Sequence, residues 1–157
     1  VCTGYNRSNV KKILSIDPGG TTGIAEISYT SVNEPILKSV AQIENGLEGF
    51  LAWYRGRHGS WDHIVCENFV LRPSVKFPDL SPVYIIGALE AFEVFNPVKP
   101  FYQSPSIKPL CNDDVLKRIN FYSKGKPHAN DATRHGIIYL RSIKHMPTIE
   151  MAWPKED

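Results

Sequence analysis

The stretch Lys-Lys-Ile-Leu-Ser-Ile-Asp-Pro-Gly-Gly-Thr-Thr-Gly-Ile-Ala-Glu-Ile at residues 11–27 constrains the fold more than any other. From Ile13 to Ile16 there is little polar alternation, the pattern of a central strand covered on both faces. A glycine-rich turn and a second apolar run follow, so the segment reads as strand, tight turn and antiparallel strand. Asp17 stands where the first strand leaves the sheet. A carboxylate at that edge is costly to desolvate unless it is hydrated, paired or bound to a cation. Asp-Pro-Gly is also good turn chemistry in its own right, so capping a turn and serving a site are both open readings at this point.

Two kinds of protein carry a similar strand and turn. Actin-like kinases and ATPases use it to hold phosphate, and RNase H-like nucleases use the strand end to hold a catalytic metal. Chain length separates them: 157 residues make about one domain, enough for a core, whereas an actin-like enzyme needs two such domains to close on its nucleotide. No apolar run approaches the roughly 20 residues of a membrane span. Residues 1–10 are mostly polar, without the apolar centre of a signal peptide. The expected organisation is a flexible N-terminal segment at 1–10, one nuclease-like domain at 11–144 and a loose tail at 145–157. Cys2, Cys66 and Cys111 form no Cys-x-x-Cys pair, so neither a disulfide framework nor a zinc site is indicated. A reducing, cytoplasmic setting fits.

Along the chain, Ile36–Glu44 reads as a third strand and Asn45 to Arg55 as a helix with Leu47, Phe50, Leu51 and Tyr54 at helical spacing. His63–Val70 is a fourth strand, interrupted by Glu67. Leu71–Pro82, with three prolines, reads as an exposed loop. A mostly apolar helix over Val83–Phe95, a short strand over Val98–Gln103, a helix over Asp113–Tyr122 and a last helix over Pro127–Lys144 complete the order. A meander followed by strand–helix alternation gives an α/β fold: a mixed five-stranded sheet, antiparallel then parallel, flanked by helices.

The candidate site follows from this order. If the first and fourth strands are parallel neighbours, their axes lie about 4.8 Å apart, and Asp17 and Glu67 end side by side. The last helix offers His128 and Asp131, three residues apart and so on one face. Three carboxylates and one imidazole form a hard ligand set suited to Mg²⁺ or Mn²⁺. Two such ions about 3.5–4 Å apart can activate water and stabilise the leaving oxygen of a phosphodiester. Charge is uneven as well. Lys99–His145 carries nine Lys/Arg against three Asp/Glu, and the remainder nine against thirteen. That basic half suits a polyanion, although solvated helix faces account for it equally.

Ile-Asp-Pro-Gly-Gly-Thr-Thr-Gly at 16–23, Val-Cys-Glu-Asn-Phe at 65–69 and Lys-Pro-His-Ala-Asn-Asp-Ala at 126–132 resemble the RuvC family of Holliday junction resolvases, with the look of its phage-encoded branch. The resemblance runs from about Lys12 to Leu140. It implies an RNase H-like fold, a homodimer and Mg²⁺-dependent nicking of four-way DNA junctions, with two ions per site and Mn²⁺ able to substitute. It makes Asp17, Glu67, His128 and Asp131 the catalytic, metal-binding set, and Lys108, in the Ser-Pro-Ser-Ile-Lys stretch, a DNA contact. If the protein is phage-encoded, its compartment is the bacterial host's cytoplasm.

Two features depart from the family pattern. Many cellular members have a carboxylate where His128 stands. Phe69 lies two residues after the glutamate, where the family often has an aromatic three residues on, so opening the junction and packing in the core are both open roles for it. Arg72, Lys76, Lys117, Lys124 and Lys126 join Lys108 as candidate phosphate contacts. The helix over Val83–Phe95 carries more apolar surface than one sheet-facing stripe needs, and Tyr84, Ile86, Gly87, Leu89 and Phe92 are the expected dimer contacts. A nuclease acting on RNA–DNA hybrids and a non-catalytic nucleic-acid-binding domain are the alternatives. Clustered carboxylates, which repel phosphate, argue against the latter.

Overall fold

The computed structural model describes residues 9–94 and 98–155. Most of the expected N-terminal segment 1–10, and the end of the helix expected to reach Phe95, lie outside the described residues. Strands β1 (Lys11–Asp17), β2 (Thr22–Tyr29) and β3 (Ile36–Ile43) form the antiparallel meander. Strands β4 (His63–Glu67) and β5 (Phe101–Gln103) pair in parallel on the other side of β1, giving one sheet in the order β3-β2-β1-β4-β5. This is the mixed sheet the sequence predicts.

β1 lies at the centre and feeds two cores in alternation, as the two-residue period of a strand requires. Ile13 packs with Ile27, Val65 and the Ile137, Ile138 and Leu140 side chains of helix α4 (Pro127–Ser142). Leu14 and Ile16 pack on the opposite face beneath helices α1 (Gly46–Tyr54) and α2 (Ser81–Glu93), with Phe50, Tyr54, Ile85 and Leu89. Burying each such side chain stabilises the fold by about 1.5–3 kcal/mol. The same period puts Ser15 and Asp17 on the face of Ile13, and Glu67 on the face of Val65. Both carboxylates therefore belong to the face that α4 covers, and Ser15 Oγ donates to the α4 carbonyl of Ala132 at 2.6 Å.

Two glycines allow α4 to come down onto the sheet. A Cβ at Gly23 would lie 1.9 Å from the carbonyl oxygen of His128, and one at Gly136 would lie 2.6 Å from Ile27 Cδ1. The last glycine of Gly-Gly-Thr-Thr-Gly thus serves the approach of a distant helix as well as ending a turn.

Several boundaries differ from expectation. β4 stops at Glu67 rather than Val70, since its neighbour β1 has already ended at Asp17. The helix expected over Asp113–Tyr122 is α3 (Asp113–Arg118), because Asn120 adopts φ 63 and folds Phe121 back to bond the Leu116 carbonyl at 2.8 Å. Pro105–Cys111, between β5 and α3, forms a 3-10 helix that periodicity does not announce.

The tail at 145–157 is not loose where it is described. It forms helix α5 (Met146–Ala152), anchored by buried His145, whose Nε2 lies 2.6 Å from the Thr30 carbonyl and Nδ1 2.6 Å from Thr148 Oγ1. Trp153 Nε1 donates to the Leu110 carbonyl at 2.9 Å. Leu89 is not the dimer contact expected of it. It has no exposed surface and packs in the single-chain core with Ile85, so it is not available to a second chain. Among the described residues no helix is long and apolar enough to cross a membrane.

Candidate active site

Parallel pairing sets Ile16 opposite Cys66, so the next residues, Asp17 and Glu67, end adjacent strands. α4 brings its first turns over them. His128 Nδ1 lies 3.2 Å from Asp17 Oδ2. Lys108, from the 3-10 helix, bridges Glu67 Oε2 at 3.1 Å and Asp131 Oδ2 at 3.0 Å. The four side chains chosen from sequence thus meet at one end of the sheet, with Lys108 among them.

Residues the sequence did not single out hold this group in place. Arg134 pairs with Asp131 and Asp113 and donates to the Cys111 carbonyl at 2.9 Å. His135 is fully buried, with Nε2 2.7 Å from Glu67 Oε2 and Nδ1 2.7 Å from Gln103 Oε1. The signal for both was spacing: 134 and 135 stand three and four residues after Asp131, one helical turn on. At the start of α4, Lys126 makes no side-chain cap. The cap comes from β3 instead, where Gln42 Oε1 accepts the backbone N–H of His128 at 3.0 Å and of Ala129 at 3.4 Å. No local pattern reveals a cap supplied from 86 residues away.

The electrostatics divide the carboxylates. Burial, reinforced by the charges of Glu67 and Asp131, pushes Asp17 up to about 6, against the bond to His128. Burial also acts to raise Glu67, but the hydrogen bond from His135 and the Lys108 ammonium outweigh it and hold Glu67 below its usual range. Burial acts to lower Lys108, and its bonds to Asp131 and Glu67 more than reverse that. Asp17 is the group left short of positive charge.

Among the described residues no set of three or more His, Cys, Asp or Glu side chains stands ready to hold an ion as it is; Lys108 and Arg134 engage Glu67 and Asp131 instead. The donor chemistry nonetheless fits a hard divalent cation: three carboxylates, one imidazole, and a buried aspartate that one more positive charge would relieve.

Around the carboxylates the surface is basic and grooved. A groove of about 370 Å³ is lined by Glu67, Phe69, Arg72, Ser104, Ser106 and Lys108. Arg72 and Lys76 are exposed on the loop after β4, and Lys117, Lys124 and Lys126 are exposed on α3 and the α3–α4 turn. Lys117 Nζ lies 4.9 Å from the centre of the Tyr122 ring. Phe69 is half-buried, whereas Phe77, further along the same loop, is 84% exposed with Lys76 Nζ 5.6 Å from its ring centre. That loop is tied back at Asp79, whose Oδ1 accepts the Ser81 N–H at 2.9 Å. On α2, Tyr84 and Gly87 are exposed, while Ile86 and Phe92 are partly buried against the core.

No protein-family model matches the sequence, and no curated protein matches it. Solved structures do match by shape. Thermus thermophilus RuvC in complex with a Holliday junction substrate superposes with a TM-score of 0.64 at 13% identity, covering 88% of this chain and 97% of that one. A second Thermus thermophilus RuvC structure gives 0.57 at 11% identity, over 87% and 97%. The yeast mitochondrial Holliday junction resolvase Ydc2 gives 0.51 at 14% identity, over 88% and 82%. At these identities the likeness is one of architecture, and the chain carries the RNase H-like fold of the RuvC-type Holliday junction resolvases.

Proposed function

We propose that this protein is a divalent-metal-dependent endonuclease that nicks branched DNA, with four-way junctions as its principal substrate. The observation that carries the reading is the convergence of Asp17, Glu67, Asp131 and His128 from two parallel strand ends and one helix, beside a basic groove. The RuvC-type fold supports it. On this reading Asp17, Glu67, Asp131 and His128 hold Mg²⁺, for which Mn²⁺ substitutes. When bound, two such ions supply an activated water and charge stabilisation for the leaving oxygen of the phosphodiester.

The chain's own residues do the rest. Asp17, ionised above about pH 6, offers its carboxylate from the rigid end of β1. His128 holds Asp17 from one side, with its ring nearly half exposed to solvent. Lys108 keeps Glu67 and Asp131 from repelling each other; released from them, its ammonium is free for a phosphate oxygen. Arg72, Lys76, Lys117, Lys124 and Lys126 bind the DNA backbone without reading sequence. The exposed ring of Phe77 suits stacking on an unpaired base better than the half-buried ring of Phe69. Symmetric nicking needs two sites related by a two-fold axis, and the face of α2 around exposed Tyr84 and Gly87, with the partly buried Ile86 and Phe92 beside them, supplies the dimer contact. The protein acts in the cytoplasm, that of a bacterial host if it belongs to the phage-type branch.

The test is a panel of four-way junctions, flaps, RNA–DNA hybrids and linear duplex, each with Mg²⁺ and with EDTA. Metal-dependent cuts in the branched DNA are expected. Cleavage confined to the hybrid would move the protein to a ribonuclease reading, and no cleavage at all would end the enzymatic one.

A further inference from the structure

Beyond the ligand set, the structure assigns a positioning role to His135: braced by Gln103, it fixes the Glu67 carboxylate for a cation. The inference rests on the metal-dependent reading above.

Three elements build the brace. Glu67 and Gln103 are register partners at the ends of parallel β4 and β5, so their side chains share the face that α4 covers. His135 drops between them from α4, with no exposed surface. Both ring nitrogens are engaged at 2.7 Å, Nδ1 with the Gln103 side-chain amide and Nε2 with Glu67 Oε2. Gln103 is itself buried, and its backbone carbonyl accepts the Asn68 N–H at 2.7 Å, which fixes the chain immediately after Glu67.

Core packing alone does not account for this residue. An imidazole that loses all contact with water is costly unless each nitrogen finds a partner, and a leucine would fill the same space over β4 and β5 while leaving the buried Gln103 amide without this one. What the imidazole adds is a directed bond to one carboxylate oxygen. Glu67 Oε2 takes both His135 and Lys108. Lys108 is shared with Asp131 and partly exposed, so it can turn to DNA; His135 cannot leave. A ligating carboxylate whose rotamer is already set need not be ordered when the ion arrives, the usual effect of such outer partners on metal affinity.

Mn²⁺ binding to the intact protein without DNA, read from the electron paramagnetic resonance signal of free Mn²⁺, tests this. An Asn amide at 135 reaches the position of Nδ1 and a Gln amide that of Nε2. His135→Gln should therefore stay close to wild type, while His135→Asn and His135→Leu should bind Mn²⁺ about 10-fold or more weakly. Junction binding in EDTA should be the same for all. Gln103→Met, which keeps the volume and the strand, should weaken Mn²⁺ binding several-fold and covers the case in which a change at 135 prevents folding. Wild type and every folded variant binding Mn²⁺ alike would overturn the positioning role while leaving the metal-dependent reading intact. A wild-type protein that takes up no Mn²⁺ would overturn both.

Discussion

Asp17 carries the cost of the site in the absence of a cation. Its carboxyl group is raised from 3.8 to about 6 by burial and by the neighbouring carboxylates. The folded state therefore keeps this proton to higher pH than the unfolded chain does, and stability falls as pH rises from about 3.8 to about 6. The ionised group costs roughly 3 kcal/mol above that window. Asp17→Asn is therefore expected to raise metal-free stability at pH 7.5 by about 1–3 kcal/mol, with the gain shrinking towards pH 4; urea melts at both pH values measure it. A variant less stable than wild type at pH 7.5 would mean that His128 and Lys108 already satisfy the charge. His128→Asp adds a fourth carboxylate beside Asp17. It should retain part of the cleavage activity, with the pH profile moved upward because Asp17 is pushed up further. An inert His128→Asp protein would assign the imidazole a task a carboxylate cannot perform. Asp17 and Glu67 were legible in the sequence because each interrupts an apolar strand run, and the strand order sets the two ends side by side. Arg134 and His135 offered only their spacing, one helical turn after Asp131, while their partners Asp113, Gln103 and Glu67, and the cap from Gln42, lie 21 or more residues away, where nothing in the local pattern marks them.

At the scale of elements, α4 makes the site by lying across the ends of β1, β4 and β5. Its helical period brings His128, Asp131 and His135 over carboxylates and an amide set by the strands' period of two. Gly23 is the critical contact. Gly23→Ala would drive a methyl group into the His128 carbonyl, and is expected to destabilise the fold by about 1–3 kcal/mol and weaken cation binding together, as read by urea melts and Mn²⁺ titration. A melt unchanged from wild type would show that α4 can tilt away without cost. The strand and helix order was readable from apolar period and turn residues. The 3-10 helix and α5 were not. The first contains Pro109 within its span and lacks an apolar period, and the second is too short, at seven residues, to announce itself before its anchors on Thr30 and Leu110 are known.

For the whole molecule, the proposed function requires two such sites to meet one junction. The exposed part of α2 is smaller than its apolar sequence implied, because Ile85 and Leu89 belong to the core. That separates useful substitutions from destructive ones. Tyr84→Glu, on a side chain 58% exposed, should leave the melting temperature within a few degrees of wild type, convert a dimer to a monomer in sedimentation, and slow paired nicking. Wild type sedimenting as a monomer at micromolar concentration would instead require assembly on the DNA. The central claim, that the clustered carboxylates cut branched DNA through bound metal, meets its most direct test in one comparison: cleavage and gel-shift binding of a four-way junction by wild type and Asp17→Asn side by side. The expected result is symmetric nicks by wild type with Mg²⁺ and none with EDTA, while Asp17→Asn binds the junction as tightly or more tightly and leaves it uncut. Turnover by Asp17→Asn, or no Mg²⁺-dependent nick by wild type, is the result that would contradict it.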